Sequence, residues 1–88
     1  MGDIVVDGRV HDRHPEISDT DAMAAWKNAI NIVIRVTSEK DFLVAVGVDT
    51  KGRLLEMVAA EEADGSLHIF HAMIPPSEKT LREVGILR

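Results

Sequence analysis

Between Asp41 and Ile74 the chain reads DFLVAVGVDTKGRLLEMVAAEEADGSLHIFHAMI. Three apolar runs are separated by Asp49-Thr50-Lys51-Gly52 and by Asp64-Gly65. Glycine in such turns supplies the positive φ that a tight reversal needs, so each break is a hairpin signal and the runs read as consecutive antiparallel strands. In the first run Phe42, Val44, Val46 and Val48 fall on one face and Leu43, Ala45 and Gly47 on the other. Both faces are apolar, which predicts a strand covered on each side. In the second, Arg53, Leu55, Met57 and Ala59 alternate with Leu54, Glu56, Val58 and Ala60, and a buried Glu56 would need a partner. In the third, Leu67, Ile69, His71 and Met73 alternate with His68, Phe70, Ala72 and Ile74.

The rest of the chain must cover or extend that sheet. Ser18 to Ile30 reads as the main helix, with Ser18 as N-cap, Asp21 answering it three residues on, and Asp19 and Asp21 at the positive end of the dipole. Ala22, Met23, Trp26, Ala29 and Ile30 form its apolar stripe, opposite Thr20, Asp21, Ala24, Lys27 and Asn28. Ile4-Val5-Val6 reads as a short edge strand, and Val10 to His14 as an irregular or one-turn segment that Pro15 stops. Ile32 to Val36 is β-branched and reads as a strand or extended linker. Pro75-Pro76 closes the last strand, Ser77 caps a short helix over 78–84, and Gly85 ends it. The expected architecture is one α+β domain over residues 1–88. A three- to four-stranded antiparallel sheet packs against one main helix, with a helical turn at the C-terminus.

A chain of 88 residues has room for a thin core only, since it buries roughly 60% of its unfolded surface. With no cysteine, disulfides and thiolate metal sites are excluded, and a cytoplasmic setting is the expectation. No secretory signal and no apolar run of bilayer-spanning length is visible, so no membrane is expected as a partner. The net charge of −5 disfavours nonspecific nucleic-acid binding but leaves room for a local basic patch.

No phosphate-binding glycine loop, GxSxG, HExxH or dinucleotide fingerprint is present. His11 and His14 have an i, i+3 spacing, but Pro15 disturbs that turn and no third ligand is set, so no metal and no cofactor are expected. A second set is cationic: Arg13 and His14 before the helix, Lys27 on it, Arg53 opening the second meander strand and His71 in the third. Metal-free RNA cleavage needs a base, an acid and cations at the phosphorane, roles that histidine and arginine fill. The alternative is that Arg13, Lys27 and Arg53 are solvated charges and His71 an ordinary strand residue.

Three segments carry a likeness to a known family. The first is Val46-Gly47-Val48-Asp49-Thr50-Lys51-Gly52-Arg53-Leu54-Leu55-Glu56; the second, after the Asp64-Gly65 turn, is Ile69-Phe70-His71-Ala72-Met73. The third is Arg13-His14 just before Ile17-Ser18 and an acidic helix start. In this order they resemble the BrnT-like toxins of bacterial type II toxin–antitoxin systems, and more closely their actinobacterial-type relatives. The likeness covers about residues 4 to 76. It implies a RelE-like fold and a small, metal-independent ribonuclease neutralised by a cognate antitoxin, usually a ribbon-helix-helix protein. Under that reading Arg13 and Arg53 hold the scissile phosphate, His14 and His71 exchange protons, and Lys27 is an accessory RNA contact. Where the toxins usually carry Ser-Ala-Arg, this chain has His71-Ala72-Met73, and 75–83 offers only Lys79 and Arg82. The alternative is a non-catalytic interaction module that keeps the scaffold and uses a sheet edge or the surface near Trp26 to bind another protein or a second copy of itself.

Overall fold

The Ser18 hydroxyl accepts from the Asp21 amide at 3.0 Å, and the Asp21 carboxylate accepts from the Ser18 amide at 3.0 Å. This reciprocal cap starts the longest helix where the sequence places it. The computed structural model describes residues 3–88. Its elements are β1 (Ile4–Val6), α1 (Gly8–Arg13), α2 (Asp19–Lys27), β2 (Ala29–Val36), β3 (Asp41–Val48), β4 (Leu54–Glu61), β5 (Leu67–Met73) and α3 (Glu78–Glu83). The fold is α+β. No helix among the described residues is long and apolar enough to cross a membrane.

The sheet has five strands in the order β1-β5-β4-β3-β2, more than the three or four expected. Both doubtful segments pair: β2 runs antiparallel to β3, and β1 adds parallel to β5 through Ile4, Val5 and Val6 opposite Leu67, His68 and Ile69. The sheet is therefore mixed rather than purely antiparallel. Gly52 and Gly65 take φ of 78° and 87° in the two meander turns, the conformation for which glycine is needed there.

Two cores lie on the two faces of this sheet. On one, α1 and α2 supply Val10, Ala22, Ala25 and Trp26 against Ala45, Leu55, Met57, Ala59, Ile69 and Ala72. On the other, Val84 and Leu81 at α3 cover Val44, Val46 and Val58, flanked by Phe42 and Phe70. Strands β3 and β4 are covered on both sides, as the two-sided apolar pattern of β3 predicts.

Two expectations need correction. The main helix stops at Lys27, so Ala29 and Ile30 belong to β2 and not to the helical stripe; Ala25 and the capping Asp21 are buried beside Ala22 and Trp26 instead. The β-branched run after Asn28 gains more by pairing with β3 than by extending a helix. The alternation expected for β5 also fails. Val58 pairs with His71 and Ala59 with Ile69, which leaves Phe70 as an extra residue. This β-bulge reverses the phase, so Ala72 and Ile74 join Leu67 and Ile69 on the α2 face.

Gly47 marks the closest approach of α2 to the sheet. A Cβ built there would lie 1.9 Å from the Ala25 carbonyl oxygen, a backbone atom that cannot swing away. Gly47→Ala is expected to destabilise the fold by about 3 kcal/mol, the upper end for overpacking. Chemical denaturation would show it, and an unchanged midpoint would contradict the packing described.

Candidate functional site

The β5 bulge decides where His71 points. Phe70 and His71 both turn toward the α3 side of the sheet, where Glu56 projects from β4. His71 Nε2 lies 2.8 Å from Glu56 Oε2, and the Ser77 amide donates to Glu56 Oε1 at 2.7 Å. Burial alone would raise the Glu56 pKa; the hydrogen bonds from Ser77 and His71 outweigh it and bring the pKa below the ordinary glutamate value. Glu56 is thus a carboxylate that only accepts, so the His71 Nε2 carries the shared proton and a neutral ring has its lone pair on Nδ1.

These groups border a cavity of about 400 Å³. Phe42 and Phe70 form an edge-to-face pair in its wall, with ring centres 5.2 Å apart. Three arginines also line it. Arg35 comes from β2, opposite Phe42, and Arg9 and Arg13 come from α1. Their convergence follows from topology: β1 ends opposite Ile69, and α1 then packs against β5. Arg9 binds Asp7 through Nε at 3.0 Å, and Arg35 binds Glu83 through Nε at 2.9 Å. The Arg9 hydrogen bond holds the Asp7 carboxyl far below the usual range, and Arg35 lowers the Glu83 pKa. Among the described residues no carboxylate lies within 4.0 Å of the Arg13 guanidinium as an ion-pair partner.

Arg53 lies on the other face. Its Nε meets Asp49 at 2.8 Å, one Nη meets Asp21 at 2.9 Å, and the other donates to the Glu16 carbonyl at 3.0 Å. Lys51 Nζ adds a 3.4 Å contact to Asp21. The pKa of Asp21 is lowered chiefly by the Ser18 amide. That of Asp49 is lowered against its burial by the Arg53 and Lys51 amides and the Arg53 side chain. This network ties the β3–β4 turn to the start of α2.

Of the residues singled out in the sequence, Arg13 and His71 therefore meet at one cavity, and the sheet separates them from the Arg53 guanidinium. His14 does not line the cavity; its Nδ1 is 3.7 Å from Glu16. Lys27 is exposed in the last turn of α2. His11 lies 3.4 Å from the Ile17 carbonyl oxygen, and His68 bridges Asp7 and Glu62. No three His, Asp or Glu side chains among the described residues are grouped to hold a metal ion. Sequence reasoning missed Arg9, Arg35 and the role of Glu56. The signals were there in part: Arg35 is the lone charge in AINIVIRV, and Glu56 falls on a buried phase of β4.

Comparison with protein-family models, with curated proteins and with solved structures gives no match for this chain.

The carboxylate network fixes the pH response. Asp21, Asp49, Glu56 and Glu83 all have folded pKa values below their unfolded ones. Their stabilisation is present above the unfolded values of about 4 and is lost as pH falls through the lowered folded values. The urea midpoint should stay nearly level around neutrality and drop steadily below about pH 4.5. A midpoint that rises on acidification would contradict the pairing.

Proposed function

We propose that the chain is the toxin-like component of a bacterial type II toxin–antitoxin system with a RelE-like arrangement. It acts in the cytoplasm as a metal-independent endoribonuclease and is neutralised by a cognate antitoxin of the ribbon-helix-helix kind. The observation that carries the reading is the convergence of Arg9, Arg13 and Arg35 with the Glu56-paired His71 at one cavity. Arg13, the guanidinium without a carboxylate partner, takes a phosphate oxygen, and Arg9 and Arg35 add charge at the rim. Neutral His71 accepts the 2′-hydroxyl proton at Nδ1 while Glu56 fixes the ring through Nε2. The 2′-oxygen attacks phosphorus, the bond to the 5′-oxygen breaks, and water at the cavity mouth protonates the leaving oxygen. The products are a 2′,3′-cyclic phosphate and a free 5′-hydroxyl. In this arrangement Arg53 acts as a structural cation that holds the turn to α2.

A second reading has its own support. Arg53 is committed to Asp21 and Asp49, and His14 is outside the cavity, so two of the four catalytic groups that the family likeness suggests are engaged elsewhere. A scaffold kept for protein binding, with no nuclease activity, agrees with that placement.

Purified protein incubated with single-stranded RNA in EDTA separates the two. Cleavage is expected, with His71→Ala and Arg13→Ala each reducing the rate about 100-fold or more while the fold is retained. Arg53→Ala is expected to cost about 2–4 kcal/mol of stability, because it strands two buried carboxylates, and to leave cleavage intact below the melting temperature. No cleavage by the unaltered chain would favour the binding module. Cleavage that survives both cavity substitutions would remove the site from the cavity.

A further inference from the structure

Strand β2 is an edge of the sheet; a bulge between Ala29 and Asn31 disturbs its start and the Asn31 Oδ1 accepts from the Ile32 amide at 3.0 Å, but from Val33 to Val36 no bulge or proline protects it against pairing. It is eight residues long, contains no proline, and its two polar side chains are used on the α3 face: Arg35 by Glu83 and Asn31 by the Val84 carbonyl at 2.8 Å. The other face is apolar and open. Ile32 is 43% exposed, Ile34 64% and Val36 76%, and Ile30, 59% exposed, lies in the bulge before them. Helix α2 does not reach them, because it ends at Lys27 and the chain reverses directly into β2. Three β-branched side chains in alternation along a free edge form a contiguous patch, unlike single apolar residues scattered on a surface.

The arrangement of the patch identifies its occupant. Ile32 and Ile34 flank Val33 on the open face, clear of the bulge at Ile30. An antiparallel copy related by a two-fold axis through Val33 would set Ile32 against Ile34 of the second copy and Ile34 against Ile32 of the second copy, with each Val36 reaching the bulged end of the other strand. These isoleucines would pair on one face, as a self-complementary contact requires. Lys27 precedes the patch and Glu39 follows it, so the same axis brings opposite charges toward each other at both ends. On the α3 face Arg35 would stand opposite Asn31 of the second copy. From this symmetry and charge match we infer that the protein forms a two-fold homodimer through β2, giving one continuous ten-stranded sheet. An axis normal to the sheet leaves both α3 faces on the same side. The two arginine-lined cavities then open in one direction, each with Arg35 next to the interface. The inference stands apart from the ribonuclease reading, since it uses no catalytic property.

Sedimentation equilibrium on the full chain tests it. The expected result is a dimer at micromolar concentration. Ile34→Lys, at an exposed position, should weaken the association at least about tenfold and leave the circular dichroism spectrum unchanged. Val5→Lys on β1, the opposite edge, should leave the dimer intact. Because the chain has no cysteine, Val33→Cys gives an independent readout. Across the proposed axis residue 33 faces its own copy at the Cα separation a disulfide accepts, so mild oxidation should yield a covalent dimer that Val5→Cys does not. A monomer at every concentration would overturn the inference. A dimer unaffected by Ile34→Lys, or Val33→Cys that never cross-links, would do so as well.

Discussion

A carboxylate in the middle of a two-sided sheet has to be answered, and the answer given to Glu56 organises half of this molecule. Glu56 sits in β4, the central strand, on the face that α3 covers. A buried ionised side chain without partners would cost several kcal/mol. Its two oxygens accept from His71 and from the Ser77 amide. The first contact requires the bulge at Phe70, because without the extra residue His71 would fall on the opposite face. The second fixes the entry to α3, since Ser77 is also the N-cap of that helix. One charge therefore couples a strand irregularity, a helix start and the wall of a cavity.

The opposite face uses charge differently. Asp21, Asp49, Arg53 and Lys51 form a closed set whose members neutralise one another. Their carboxylates also serve as an N-terminal helix cap and as acceptors of turn amides, so the cluster is saturated by local structure. On the cavity side the balance is reversed: Asp7 and Glu83 answer two arginines, while Arg13 remains. The sheet thus separates a closed ion network from an arginine-lined cavity.

That division explains what the sequence could and could not disclose. The Gly52 and Gly65 turns, the Ser18 and Ser77 caps and the two-sided pattern of β3 are local signals, and each appears as read. The parity of β4 correctly placed Glu56 and Arg53 on opposite faces. The parity of β5 did not place His71, because a bulge adds one residue without any glycine or proline to announce it. Arg9 escaped notice for another reason. Its position depends on β1 joining β5 in parallel, a pairing between residues more than sixty apart in the chain that no local pattern encodes. The end of α2 was misplaced because Ala29 and Ile30 satisfy both periodicities, and pairing with β3 decided between them.

The acidity of the chain and the basic lining of its cavity are reconciled by distance. At physiological ionic strength charges on the surface are screened beyond about 8 Å. The net charge of −5 therefore sets solubility and long-range repulsion, whereas under the proposed ribonuclease reading a phosphate inside the cavity would meet chiefly the groups that line it. With His71 neutral, Asp7, Glu83 and Glu56 balance the charges of Arg9, Arg35 and Arg13, so the cavity carries little net charge. Such a site cannot hold a long stretch of backbone by counterion release, as strongly basic nucleic-acid proteins do. Under the proposed ribonuclease reading, one phosphate would sit at Arg13 beside the Phe42–Phe70 pair, and shape and aromatic contact would supply the affinity that charge does not.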